Sequence, residues 1–331
     1  MDQSQIAELY DRHAKPGYGA VKPDELAFIQ SLIAEHKPKS FIEVGMASGL
    51  STGFIALFME QHGGERLVSI DHDDTFFGDA SKPNGFLVPQ LYNGQDLNLE
   101  LIKHKVAPDL QKNDGDFDMA FIDANHHHPW PAIDMMCLYP RMTGPKIMLH
   151  HDLKLFANRS GGRGIGPKYL FDQFPESHRL LSDANNGNIF AVDLNIDRDQ
   201  FESLLTGLFS LPWSAFPPLS PEQIKKVRGV LKKHYSDALQ DHFQACAKTH
   251  NKRPQSGGDL DRMARDMQVL KQKMERVQIH LGQVVKETRK LDERTAAVHE
   301  MVRKGMLRRI LSRISRGTRA RTAPKGQTND P

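Results

Sequence analysis

Between residues 40 and 192 the chain alternates short, mostly apolar runs with longer amphipathic stretches. The runs Phe41–Val44, Leu67–Ile70, Leu99–Ile102, Met119–Ile122 and Ile147–Leu149 are each bounded by turn residues. They are too short for buried helices and suit central parallel strands covered on both faces. Ser51–Gln61 and Ile133–Tyr139 read as helices between them. Asp24 and Glu25 open another, with Leu26, Ile29, Leu32 and Ile33 on one face and Pro38 as its stop. Strand alternating with helix predicts an α/β fold with a doubly wound, mostly parallel sheet. Two later runs, Arg179–Leu181 and Asn188–Val192, are joined by the short turn Asp183–Gly187 and predict a hairpin-like finish.

The pattern then changes. Ser220-Pro221-Glu222 is a helix opening, with serine as cap and proline at the first helical position, and that helix is expected to run to about Lys248. Asn251–Gly258 is a linker by composition. From Leu260 through Met263, Met267, Leu270, Met274, Val277 and Leu281 to Val302, apolar positions alternate spacings of three and four. Such a narrow stripe needs a second helix to cover it, which predicts a self-associating coiled coil of unassigned strand number. The expected organisation is therefore a core domain over 1–200, a helical extension and linker over 201–258, a coiled coil over 259–304 and a basic amphipathic or disordered tail over 305–331.

Charge sharpens this division. Of 44 basic residues nine lie after 302, against one of 41 acidic ones, so residues 1–302 carry 35 against 40, a net of −5, while the tail is strongly basic. Met306, Leu307, Ile310, Leu311 and Ile314 share one arc of a helix, with Arg308, Arg309 and Arg316 elsewhere and Arg303 and Arg313 intruding on the apolar side. That arrangement suits an anionic membrane surface. A solvated disordered tail and a nucleic-acid contact are the other readings. No run of 18 apolar residues exists, and the opening MDQSQIAELYDRH shows no basic-then-apolar export pattern. Two cysteines far apart, Cys137 and Cys246, exclude a disulfide scaffold or a four-cysteine zinc site. The expected location is the cytoplasm, with the tail at the inner face of the membrane.

The first strand runs into Glu43-Val44-Gly45-Met46-Ala47-Ser48-Gly49-Leu50-Ser51, an acid followed by two spaced glycines before a helix. Glycines there let the backbone turn tightly and a ligand approach closely. Asp71 ends the second strand, where an acid accepts hydrogen bonds from ribose hydroxyls. The close-approach glycine of a pyrophosphate loop is missing, so a ligand with ribose but without pyrophosphate fits better. The fourth strand ends in Asp123-Ala124-Asn125-His126-His127-His128 and the fifth in His150-His151-Asp152. Both ends belong to the carboxyl edge, where open α/β sheets bind ligands. Aspartate and histidine there suit a divalent ion that polarises a hydroxyl, or an imidazole that takes its proton near neutral pH.

FIEVGMASGLST, then LVSIDHD, FDMAFIDANHHH and IMLHHDL, together resemble the class I S-adenosylmethionine-dependent methyltransferases. The likeness is narrowest with the O-methyltransferase branch that includes catechol O-methyltransferase-like and sugar O-methyltransferases, and it covers about residues 24–195. The resemblance implies a seven-stranded sheet with an antiparallel last strand and S-adenosylmethionine as cofactor. Glu43, Gly45, Gly49 and Ser51 then face its methionine part and Asp71 its ribose. The place near adenine falls on His104-Lys105, which departs from the family pattern. In metal-dependent relatives carboxylates at the positions of Asp123 and Asp152 hold magnesium. The asparagine that follows in catechol-type relatives is Leu153 here, so one ligand is lost or comes from His126 or Asn125. His151, with His126 next, is the expected base, and Asp123 stands beside them. His127, His128 and His150 read as partly exposed loop residues, Asp118 as a turn residue and Asp134 as a helix N-terminal residue.

A second glycine-rich loop, Ser160–Lys168, lacks a nucleotide P-loop ending and reads as a connector bordering the acceptor pocket, with Arg163 and Lys168 as the alternative anion contacts. Trp130 and Phe156 are core residues or stack on an acceptor. The expected activity is methyl transfer from S-adenosylmethionine to a hydroxyl of a sugar, glycan or small molecule, at a glycan-bearing membrane by analogy of layout. A hydroxylase on the same scaffold and a non-catalytic coiled-coil scaffold are the rivals. The heptads carry a direct expectation: a chain ending at Gly258 sediments as a smaller species than the full chain, and equal sedimentation would remove the coil as the basis of association.

Overall fold

The computed structural model describes residues 1–18, 21–157, 164–181 and 187–252. The expected coiled coil and basic tail, Arg163, and Asp183–Asn186 of the hairpin turn lie outside the described residues. Helices α1 (Gln3–His13) and α2 (Pro23–His36) precede strand β1 (Ser40–Val44), helix α3 (Leu50–Gln61) and strand β2 (Arg66–Ile70). A ribbon of β3 (Thr75–Phe76) and β4 (Asp79–Pro83), the short helix α4 (Val88–Leu91) and strand β5 (Asn98–Ile102) follow. The second half holds β6 (Phe117–Ile122), α5 (Trp130–Leu138), β7 (Met142–His150), α6 (Gly166–Gln173), β8 (Arg179–Leu181), β9 (Phe190–Asp193), α7 (Arg198–Ser210), α8 (Pro221–His234) and α9 (Asp237–His250).

Seven strands form one sheet in the order β5-β2-β1-β6-β7-β9-β8. β1, β2, β5, β6 and β7 are parallel, whereas β9 pairs antiparallel with both β7 and β8. This is the doubly wound sheet with a hairpin finish that the pattern predicts, with the antiparallel last strand that the resemblance implies. Its two faces follow the period of the strand. Ile42, Val68, Ala120, Ile122, Met148 and Val192 point into one core. Their neighbours Phe41, Leu67, Met119, Phe121, Leu149 and Ala191 point into the other. Because alternate residues face opposite sides and both sides are apolar, helices must cover both. α2 and α3 cover one face, and α5, α6 and the later helices cover the other.

The helices after residue 198 pack into the same core as the sheet: Phe201, Leu205, Val227, Leu231, Leu239 and Phe243 join the cluster of Ile42 and Val68. The single helix expected from Ser220 to Lys248 is two. Tyr235 leaves helical geometry at φ −131°, and its hydroxyl donates to the Met136 carbonyl at 2.5 Å. The Ser236 side chain then accepts from the Leu239 amide and caps α9. A tertiary anchor and a serine cap override a pattern that alone reads as continuous. No helix among the described residues is long and apolar enough to cross a membrane.

Phe243 is fully buried, 5.0 Å from the Phe209 ring and 5.7 Å from Trp213. Phe243→Ala should lower the unfolding free energy by about 3–5 kcal/mol in a denaturant titration; a loss near zero would show that these helices do not belong to the cooperative core.

Candidate active site

The carboxyl ends of β1, β2, β5 and β6 meet at one rim of the sheet. Gly45 leaves β1 at φ +99°, and a Cβ there would sit 2.2 Å from the Asp123 carbonyl oxygen, so only glycine lets this turn press on the end of β6. The Asp71 carboxylate sets the rest of the turn, accepting from the amides of Met46 at 2.8 Å, Ala47 at 3.0 Å and Asp73 at 3.0 Å.

In front of the turn lies a cavity of about 320 Å³. Its wall includes Gly45, Ala47, Asp71, Lys105, Asp123, Asn125, Trp130, Asp134 and, from α8, Gln223. Of the residues expected to hold the cofactor, Gly45 and Asp71 line this cavity, whereas Glu43, Gly49 and Ser51 stand behind the turn. Glu43 is fully buried and accepts from Ser51 Oγ at 2.6 Å, Ser69 Oγ at 2.5 Å and the Thr52 hydroxyl. It ties β1 to β2 and to the first turn of α3. Burial pushes its carboxyl up to about 7 against the pull of the three hydroxyls.

Beyond Asp123 the rim carries a charged cluster. One ligand atom from each of Asp123, His126, His151 and Asp152 lies within 4.8 Å of the others. His126 Nε2 is 3.2 Å from Asp123 Oδ1 and 3.6 Å from Asp152 Oδ2. His151 Nδ1 is 3.3 Å from Asp123 Oδ1 and 3.5 Å from Asp152 Oδ1, without hydrogen-bond geometry to either. Its other nitrogen, Nε2, reaches Glu25 Oε2 on α2 at 3.1 Å. Asn188 ties the two sides together, its amide donating to Glu25 Oε1 at 3.1 Å and Asp152 Oδ1 at 3.3 Å. Burial pulls His151 down, but Asp123, Glu25 and Asp152 outweigh it and hold the imidazole well above its ordinary value. Burial likewise raises Asp123, and the two imidazoles overcome this to hold it far below the usual carboxylate range.

The five imidazoles therefore separate. His126 and His151 join the carboxylates. His150 is buried against the Phe190 ring at 5.3 Å, and burial pushes it down to about 3. His128 is buried with Nε2 2.9 Å from the Leu208 carbonyl oxygen, and burial pushes it down to about 4. These two are core residues, not loop residues, because the last residue of β7 and the turn before α5 are sealed by β9 and α7. His151, expected as the base, is fully buried between carboxylates; of the two imidazoles in the cluster His126 is the one with exposed surface, 19%. Asn125 Oδ1 is occupied by the His127 amide at 2.9 Å, and Leu153 is buried, so the donor beyond the carboxylates is imidazole. Asp118 lies at the other edge of the sheet, accepting from the amides of Lys39 and Ser40. Lys168 pairs with Asp172 along α6. Glu25 escapes a reading of the sequence, since its helix-opening position is explained by the bond it accepts from the Lys22 amide at 2.7 Å.

The donor set suits a divalent cation. His151 Nδ1 is a buried nitrogen without a hydrogen-bond partner, aimed at two carboxylates, and its far side is fixed by a third. That carboxylate–histidine arrangement is the one that orients metal-binding imidazoles. Imidazole added to two carboxylates favours a transition metal more than an all-oxygen site does.

Glu43 generates a pH prediction. A carboxyl raised from 4.5 to about 7 binds its proton more tightly folded than unfolded, so it contributes stability at low pH that is lost as pH climbs through this range. The stability difference between the wild type and Glu43→Gln should shift against the wild type by up to about 3 kcal/mol from pH 4.5 to pH 7. A pH-independent difference in parallel denaturant titrations would contradict the raised carboxyl.

Residues 42–153 match a family model described as a methyltransferase domain. None of the curated proteins matches the chain. Among solved structures, the O-methyltransferase TomG from Streptomyces achromogenes, involved in tomaymycin synthesis and in complex with SAM, is 17% identical, with 58% of this chain and 88% of that one covered and a TM-score of 0.39. An O-methyltransferase from Bacillus cereus in complex with SAH is 18% identical, with coverage of 58% and 92% and a TM-score of 0.41. Cofactor-bound Rv0187 from MTB is 15% identical, with coverage of 59% and 89% and a TM-score of 0.43. The segment that matches the methyltransferase-domain model begins in β1 and ends beside Asp152, enclosing the glycine turn, Asp71 and the charged cluster.

Proposed function

We propose that the chain transfers a methyl group from S-adenosylmethionine to a hydroxyl, with a sugar or glycan as acceptor. The observation that carries the reading is that one cavity is lined by both Asp71 and Asp123. A ribose held at Asp71 and a reacting hydroxyl at the cluster then share a single space. The glycine turn borders the space for the amino-acid part of the cofactor, its amides at Met46 and Ala47 held by Asp71 and its close approach to Asp123 made by Gly45.

Asp123, Asp152 and the Nδ1 of His151 are the ligands we assign to a divalent ion. Such an ion, when bound, lowers the pKa of an acceptor hydroxyl. Glu25 keeps His151 oriented by accepting the hydrogen bond of its Nε2–H, and Asn188 keeps Glu25 and Asp152 in register. His126 remains as the general base. Its Nε2 faces Asp123, which stabilises the imidazolium once the hydroxyl proton arrives. The hydroxyl oxygen gives up that proton to His126 and forms a bond to the methyl carbon as the carbon–sulfur bond breaks. The sulfonium charge is thereby neutralised and the thioether product leaves.

The glycan acceptor and the membrane location rest on the order of segments in the sequence, a methyltransferase domain followed by heptads and a basic amphipathic end. Several copies joined by a coil would bring several basic tails to one anionic surface, each basic residue adding about 1 kcal/mol there.

Calorimetry with S-adenosylhomocysteine tests the pocket. The full chain should bind it, and Asp71→Ala should weaken binding roughly tenfold to a hundredfold, the range for a hydrogen bond to a charged group. Methyl transfer from labelled S-adenosylmethionine to sugar acceptors should fall with a chelator, return with a divalent metal, and be lost in Asp123→Ala and His126→Ala. No binding of S-adenosylhomocysteine would overturn the reading.

A further inference from the structure

Asp134 has no part in the reaction outlined above, yet its position is costly. It lies on α5 one turn after Trp130, on the same side of the helix, and both residues line the cavity that holds Asp71. It is 3% exposed, and among the described residues it makes no hydrogen bond or ion pair. Its surroundings are apolar: Ile133, Cys137 and Leu138 are buried beside it, and Val106 and Trp130 line the same part of the wall. Burial alone raises its carboxyl to about 7, since no donor offsets the desolvation. A buried carboxyl without a partner destabilises a fold unless a ligand completes it.

The place of this residue along the cavity identifies the ligand group. Asp71 takes the ribose, and Gly45 and Asp123 lie toward the amino-acid and reacting end. The remaining wall is the segment after β5 together with α5, which pack on one another through the turn Ala107–Asp109. A base attached to that ribose occupies this end. The segment after β5 supplies no side-chain acceptor to it: Lys105 Nζ is bound to Asp114 at 2.6 Å, and His104 is 72% exposed. Gln223 of α8 has its Oε1 taken by the Ser220 amide at 2.8 Å, and Asn84, whose Oδ1 is unpartnered, is tied to the Asp73 carbonyl after β2, so Asp134 is the charged acceptor on the α5 wall.

We propose that Asp134 reads the base of the cofactor, its carboxylate accepting hydrogen bonds from the 6-amino group of adenine. This rests on the S-adenosylmethionine reading above and adds to it the residue that selects the base. Above its raised value of about 7 the carboxyl is ionised and only accepts, so at pH 8, where the comparison below is made, it favours an amino group and repels the carbonyl oxygen of a 6-oxo purine. Trp130 and Val106 supply the apolar walls on either side of the ring, and the base in turn shields the carboxylate from the cavity.

The test compares S-adenosylhomocysteine with S-inosylhomocysteine, in which an oxygen replaces the 6-amino group, by calorimetry on the full chain. The wild type should prefer the adenine compound by about tenfold or more, since a site built around a hydrogen bond rejects the analogue lacking it. Asp134→Ala, and Asp134→Asn, whose amide can face either base, should reduce the preference to about threefold or less. Thermal unfolding of the ligand-free variants should match or exceed the wild-type midpoint, because an unpartnered buried carboxylate has been removed, and this verifies that each variant is folded. A wild-type preference that survives in both folded variants, or a wild type that binds both compounds equally, would refute the assignment while leaving the cofactor reading intact. Failure of the wild type to bind S-adenosylhomocysteine would refute both.

Discussion

Charge that is buried must be paired, and this constraint organises the carboxyl edge of the sheet. His151 is sealed from solvent with Glu25 at one nitrogen and Asp123 and Asp152 at the other. Three chain segments meet on that ring: α2 brings Glu25, β6 delivers Asp123, and β7 ends beside His151 and Asp152. Asn188, just before β9, closes the circuit through its amide. Loss of any member would strand a charge in a site where solvent cannot compensate it. The cluster is thus a tie between α2 and the central strands as well as the chemical centre we propose.

The neighbouring turn obeys a related logic at lower charge density. Asp71 closes the glycine turn by accepting three backbone amides, and the same carboxylate faces the cavity. Glu43 sits one layer back and anchors the turn through hydroxyls instead of contacting a ligand. Structural and ligand-facing carboxylates lie close together, and only their partners distinguish them. Glu43 is saturated by three hydroxyls, whereas Asp134 has none, and that contrast separates a residue that builds the site from one that awaits an occupant.

Much of the frame was legible in the order of residues. Strand ends are set locally, by an apolar run of three or four residues and the turn that stops it, so Asp71, Asp123 and Asp152 could be assigned to one edge without coordinates. The lack of polar alternation in runs such as Met119–Ile122 also told that both faces were covered. The five imidazoles were not separable in this way. His150 and His151 are adjacent, and a strand sends adjacent side chains to opposite faces, but which face holds the carboxylates depends on what packs there. Glu25 lies 126 positions from His151, and its local role as a helix-opening acceptor concealed the distant one. The break at Tyr235 was hidden for a similar reason, since the anchor that forces it is the Met136 carbonyl on another helix.

Local pattern by itself determined the alternation of strand and helix, the glycine turn, the spaced acid that suits a ribose, and the edge on which the chemistry sits. These depend on backbone preference and side-chain period, which act over a few residues. Tertiary structure alone decided which histidines meet carboxylates, that Glu43 faces inward, and that Asp134 opens onto the cavity without a partner. Burial and charge pairing are properties of groups brought together from distant positions, and the free energy of each is set by neighbours that the chain supplies only once it has folded.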